Sequence, residues 1–189
     1  MPHATRPDRR PPPPLDAAAL DRLALRYVER FATTRGRLSD YLRRKIRERG
    51  WEGVPADPVA IAQAMAERGY VDDRAFAEAR AGAMGRRGLG ERRVRTALRA
   101  AGIDAEDMAA VTPAIADGGV AAALAFARRK RLGPFAAAVP DRERREKQLA
   151  AMIRAGHGFA LARSILAMAP GEATDDLAAF PRCDGEEPC

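Results

Sequence analysis

The strongest constraint on the fold is that the chain repeats itself. Residues 36–51 align without a gap onto residues 88–103: Gly36 meets Gly88, Leu42 meets Val94, Ile46 meets Leu98, Gly50 meets Gly102 and Trp51 meets Ile103. A fainter third copy runs over residues 156–168, with Ala162 and Leu166 at the apolar positions. A unit this short cannot bury its apolar stripe alone, so successive units must stack and share a core. With each copy closing a block of two or three helices, the expected blocks are residues 15–51, 57–103 and 117–169. The expected fold is all-α, an elongated, curved array of tandem three-helix repeats.

Within each block the apolar period is helical. Leu20, Leu23, Ala24, Tyr27 and Phe31 fall at i, i+3, i+4, i+7 and i+11, and Leu38, Tyr41, Leu42 and Ile46 share a face in the next segment. Tyr27, Phe31, Tyr41 and Phe76 therefore belong in the core. Asp57-Pro58 reads as an N-cap followed by proline at the first helical position. Asp72 and Asp73 read as caps for the helix carrying Phe76, and Gly50, Gly69, Gly102 and Gly133 each follow a helical run where a left-handed residue is wanted. Apolar residues make up 47% of the chain but aromatics only 5%, so the interior is alanine-rich and relies on close helix approach. Residues 1–14 end in four prolines and are expected to be a disordered arm. Residues 170–189, mostly acidic in charge, are expected to be a disordered tail that screens a basic face.

No residue pattern points to catalysis, a cofactor or a metal. His3 lies in the arm, and His157, in a Gly-flanked turn, is expected to be solvent-exposed. Neither sits at a spacing that suggests a triad or a ligand set. The adjacent carboxylates of Asp72 and Asp73 are explained by helix capping. Gly85-Arg86-Arg87-Gly88-Leu89-Gly90 has the look of a phosphate loop, but lacks a preceding strand and a Gly-Lys-Ser/Thr step, so it reads as a tight helix–helix turn. Cys183 and Cys189 have neither metal-ligand nor secreted-disulfide spacing. No secretory signal or apolar run long enough to span a membrane is present, so a soluble cytoplasmic protein is expected; it is also expected to be a monomer.

Charge is the stronger signal. The formal net charge is +7 and is carried mostly by arginine, whose planar fork matches phosphate or carboxylate. The cations cluster: Arg35, Arg37, Arg43, Arg44, Lys45, Arg47 and Arg49 in the first copy; Arg86, Arg87, Arg92, Arg93, Arg95 and Arg99 in the second; Arg128, Arg129, Lys130 and Arg131 further on. Arg43 with Arg47, and Arg95 with Arg99, are four apart and share a helix face. Three such clusters on stacked blocks are expected to form a stripe suited to a polyanion or to an acidic groove on a protein polymer.

The run Arg68-Gly69-Tyr70-Val71-Asp72-Asp73-Arg74-Ala75-Phe76-Ala77 resembles the signature of RecX regulatory proteins. The resemblance continues through Arg87-Gly88-Leu89-Gly90, Arg93-Val94 with Leu98, and Ala101-Gly102-Ile103, and covers residues 16–168 more loosely. The third block departs from it at Arg154-Ala155-Gly156-His157-Gly158-Phe159, where an Arg-Gly-Phe step is more usual. The resemblance implies a three-helix tandem repeat lying in the groove of the RecA filament on single-stranded DNA. It also implies a role in DNA repair, homologous recombination and the SOS response, limiting RecA's ATP hydrolysis, strand exchange and co-protease activity. Contact with single-stranded DNA itself is expected to be weak or indirect. The competing reading is a plain DNA-binding protein with a helix-turn-helix-like role, the helices over residues 39–50 and 90–102 reading the groove.

Overall fold

The computed structural model describes residues 13–175 and 177. Among these residues nine α-helices and the short 3-10 turn Gly133–Phe135 form most of the fold, and the sole β-type pairing is an isolated bridge between Leu15 and Trp51. The helices are α1 (Ala17–Val28), α2 (Arg35–Arg49), α3 (Pro58–Glu67), α4 (Asp73–Arg86), α5 (Glu91–Arg99), α6 (Ala105–Asp117), α7 (Gly119–Lys130), α8 (Arg142–Arg154) and α9 (Phe159–Ala167). No single helix among the described residues is long and apolar enough to cross a membrane.

Local chemistry sets the helix starts. Asp16, Thr34, Asp57, Asp104 and Asp141 each accept hydrogen bonds from main-chain N–H groups of the following first turn, Asp57 with Pro58 behind it as the sequence indicates. Each such cap is worth ~1 kcal/mol to its helix. Asp73 opens α4 and is buried there. Its negative charge complements the positive end of the helix dipole.

The chain divides into two compact units, one ending at Asp72 and the other beginning at Asp73. The first is a three-helix block. Leu15, Leu20 and Ala24, Leu38 and Leu42 of α2, Ala62 and Met65 of α3, and Val71 share one core. Leu15 is tied to the end of α2 by hydrogen bonds to Gly50 and from Glu52, and the Arg49 guanidinium holds the Pro13 carbonyl. Residues 1–12 of the expected arm lie outside the described residues.

The second unit contains two cores. Ala77 of α4, Val94 and Leu98 of α5, Ala101 and Ile103, and Met108 and Val111 of α6 form one. Ala123, Phe126 and Ala127 of α7, Met152 of α8, and Ala162, Ile165 and Leu166 of α9 anchor the other. The boundaries expected for the first two blocks are therefore displaced by one helix, while the expected third block, residues 117–169, holds α7, α8 and α9. Gly50 and Gly102, at φ 81° and 78°, do not close their blocks. They are turns inside a block, and a third helix, α3 or α6, follows each and completes the core. The expected tail also starts ordered. The Gly171 N–H donates to the Pro134 carbonyl, and Leu177 is 8% exposed within the last core. Residues 178–189, with both cysteines, lie outside the described residues.

Candidate functional site

Helix α2 presents the first basic cluster. Leu38 and Leu42 face the core, which turns Arg43, Arg44 and Arg47 to solvent. Seven cations against two carboxylates leave this helix strongly positive. Part of the charge is held locally: Arg43 pairs with Asp40 at 3.1 Å, Arg44 with Glu48 at 3.6 Å and Lys45 with Glu48 at 2.6 Å. The Lys45 hydrogen bond, with the charges of Lys45, Arg44 and Arg47 adding to it, holds the Glu48 carboxyl below its usual range. Exposed pairs of this kind contribute little stability and are readily exchanged for a partner's anion. Arg35 and Arg37 are only half-exposed, and Arg35 donates to Gln63 of α3 at 3.4 Å. They belong to the block's framework more than to its surface.

The second cluster spans the α4–α5 turn and α5. Val94 and Leu98 point into the core, so Arg92 and Arg99, seven residues apart, project from the opposite face. Both are exposed, and no ion pair among the described residues engages either. Arg95, on the flank, is paired with Glu91 at 3.1 Å and is about 30% exposed. Arg86 and Arg87 are exposed at the turn, and Arg93 is exposed beside them.

The third cluster closes α7. Arg128, Arg129 and Lys130 occupy its last turn, where positive charge complements the dipole, and Arg131 ends the helix in the left-handed conformation at φ 55°. Arg128 lies over the Phe135 ring at 5.0 Å and Arg129 over Phe126 at 5.7 Å, which holds both stems against the core. The Arg129 guanidinium also donates to the Arg87 carbonyl. The structure thus brings the second and third clusters together at the α4–α5 turn, although 42 residues separate them along the chain.

The Gly-rich run is the joint that makes this possible. A Cβ on Gly88 would lie 2.7 Å from the Phe126 nitrogen, and one on Gly90 only 2.3 Å from the Gly156 carbonyl carbon. Only a bare backbone fits there. Across this contact the Gly90 and Arg92 N–H groups at the start of α5 donate to the Ala155 and Gly156 carbonyls that end α8, at 2.9 and 3.2 Å. Each helix end thereby satisfies orphan main-chain groups of the other. The reading of this run as a turn stands, with a packing role that spacing alone did not show.

His157 departs from expectation. It is 2% exposed, with its ring edge on Phe126 and Nε2 3.2 Å from the Gly88 carbonyl. Burial pushes its pKa below the ordinary value, and the hydrogen bond to Gly88 only partly offsets this. The missed signal was the repeat itself. Gly156-His157-Gly158 aligns with Gly88-Leu89-Gly90, so His157 stands at an apolar position. Both first glycines have positive φ, and both last glycines cap the following helix.

The aromatic residues split. Phe76 packs against the second core. Phe31, expected inside, is 53% exposed because α1 ends at Val28 and the chain turns away before the period reaches it. Tyr27 and Tyr41 are half-buried and stack on each other. Among the described residues no group of three or more His, Cys, Asp or Glu is arranged to hold a metal ion.

Residues 72–111, the block holding the second cluster, match the family model described as RecX, second three-helix domain. The chain is 30% identical over 162 residues to Regulatory protein RecX of Agrobacterium fabrum strain C58, covering 84% of this chain and 87% of that one. It is 31% identical over 159 residues to Regulatory protein RecX of Myxococcus xanthus strain DK1622, covering 78% and 83% respectively. The crystal structure of RecX from Lactobacillus salivarius superposes with a TM-score of 0.54 at 18% identity, over 78% of this chain and 92% of that one, which concerns the fold alone. Sequence, helical architecture and the matched central block agree: the chain belongs to the RecX family of regulatory proteins.

Proposed function

We propose that this protein binds the RecA filament on single-stranded DNA and modulates it, mostly by inhibiting its recombinase, ATPase and co-protease activities. The observation that carries this reading is the joining of two basic clusters by the Arg129–Arg87 contact, taken with the exposed Arg92 and Arg99, which no ion pair among the described residues engages. Cations fixed to rigid helices meet an acidic or phosphate-lined groove without reorganising. The sequence resemblance supplies the identity of that groove. Arg43, Arg44 and Arg47 of the first block add electrostatic attraction, and no residue is assigned a chemical step. In this reading the protein works in the cytoplasm as a monomer.

The test is titration of the protein into RecA on single-stranded DNA with ATP, following hydrolysis and strand exchange. Both should fall as the protein approaches stoichiometry with RecA, and the fall should weaken with added salt. Unchanged hydrolysis and exchange at several-fold excess would overturn the proposal.

A further inference from the structure

The first block carries an aromatic group that its core uses only in part: Tyr27 and Tyr41 pack against the core, while Phe31 is exposed and the filament reading gives it no role. Tyr27 and Tyr41 stack at 4.2 Å between centroids and 22° between planes, and the Phe31 ring leans on Tyr27 at 5.2 Å. Cations frame the rings: Arg30 lies 5.9 Å from the Phe31 centroid, and Arg44 and Lys45 lie 5.6 and 5.8 Å from that of Tyr41. A phenyl ring left 53% exposed forfeits much of what its burial would contribute to folding. The Arg30 guanidinium stands at its rim, and the Arg44 and Lys45 cations stand over the neighbouring Tyr41 ring.

We infer that Phe31, with Arg30 at its ring, the Tyr27–Tyr41 stack behind it and Arg44 and Lys45 over Tyr41, is a stacking site for an unpaired nucleobase of single-stranded nucleic acid. The argument is chemical complementarity. Every base offers a π face to an exposed ring, and the phosphates on either side of that base meet the flanking cations. Duplex nucleic acid has no free base face to offer, so the site discriminates against it. An apolar protein partner would fit Phe31 but offer no charge to the Arg30 guanidinium at its ring. The filament reading meets single-stranded DNA only weakly or indirectly. This site makes the contact direct, and it stands or falls without RecA.

The experiment uses the full chain and no RecA. Fluorescence anisotropy is read with a labelled oligothymidylate and with an abasic oligomer of the same length and charge. The oligothymidylate should bind roughly 5-fold to 100-fold more tightly, the range expected from one stacked base. Phe31→Ala should erase that preference while leaving the abasic oligomer's affinity unchanged, and Phe31→Trp should retain it. Circular dichroism checks that both variants stay helical. Equal affinity of the wild-type protein for the two oligomers, or binding to neither, overturns the inference. So does a preference that survives Phe31→Ala. If Phe31→Ala weakens binding to RecA filaments but not to the oligothymidylate, the cluster is a protein contact and the inference is equally overturned.

Discussion

The His157 imidazole lies 3.2 Å from the Gly88 carbonyl, linking the turn before α9 to the turn before α5. A carbonyl only accepts, so Nε2 carries the hydrogen and the neutral ring leaves Nδ1 bare. Burial lowers the pKa of this histidine in the folded protein below its unfolded value. Between those two values the unfolded chain binds more protons than the folded one, so folding stability falls as pH falls. The contribution is fully present above about pH 6.5 and is lost progressively on acidification through the lowered folded value. The slope from this group is at most about 1.4 kcal/mol per pH unit. The melting temperature of the wild-type protein should therefore fall relative to that of His157→Leu as the buffer is moved from neutral to mildly acidic. Parallel curves over that window would show that the ring does not titrate with folding.

The close approach of Gly90 to Gly156 predicts opposite effects of one substitution at two nearby glycines. Gly90→Ala would place a methyl group against the main chain of Gly156 and His157, where nothing flexible can yield. A loss of ~1–3 kcal/mol is expected, with the α5–α8 hydrogen bonds disrupted. Gly85→Ala sits inside α4 with no atom within 4 Å of the added carbon, and should stabilise the protein by up to ~1 kcal/mol. Denaturant melts of the two variants check the sign of each. A neutral Gly90→Ala would mean that the two turns are not in contact in solution.

These glycines mark the limit of what was legible in the sequence. The repeat, the helical period and the Asp57-Pro58 start depend on local patterns, and the structure holds helices where those patterns indicate them, except that α1 stops short of Phe31. Grouping helices into blocks is a tertiary matter. Gly50 ends α2 whether or not another helix of the same block follows, so its presence carried no information about α3. Burial of His157 likewise depends on Phe126 and Gly88, both distant in the chain, and on the backbone proximity that Gly90 and Gly156 allow. The basic clusters were visible by composition. The link from Arg129 to Arg87 was not, because a single sequence contains no sign of which carbonyl a surface arginine reaches.

Leu177 gives the acidic tail a structural duty. Its side chain belongs to the core formed by α7, α8 and α9, and Gly171 and Glu172 hold the approach to it through bonds to Pro134 and Ala169. Leu177→Ala should cost ~2 kcal/mol, and deletion of everything after Pro170 should cost more. The idea that the tail screens the basic surface must therefore be tested by neutralising its carboxylates, since a deletion would confound charge with packing. A deletion that leaves the melting temperature unchanged would show that Leu177 does not hold the core.

Arg92 and Arg99 separate surface function from stability. Both are exposed on the face of α5 opposite Val94 and Leu98, and no ion pair among the described residues engages them. Replacing both with alanine should change folding stability by no more than ~0.5 kcal/mol per site. Where these guanidinium groups neutralise phosphates, each loss should lower the salt slope of binding by about one. Reversing both charges, Arg92→Glu with Arg99→Glu, should abolish any suppression of RecA ATP hydrolysis by this protein while the melting temperature holds. Arg95, tied to Glu91, is the internal control: Arg95→Ala removes a pair worth ~0.3–0.5 kcal/mol and should affect suppression least. If the Arg92/Arg99 reversal leaves suppression intact and Arg95→Ala does not, the filament meets a flank of α5 and the outward face is a solvated helix surface.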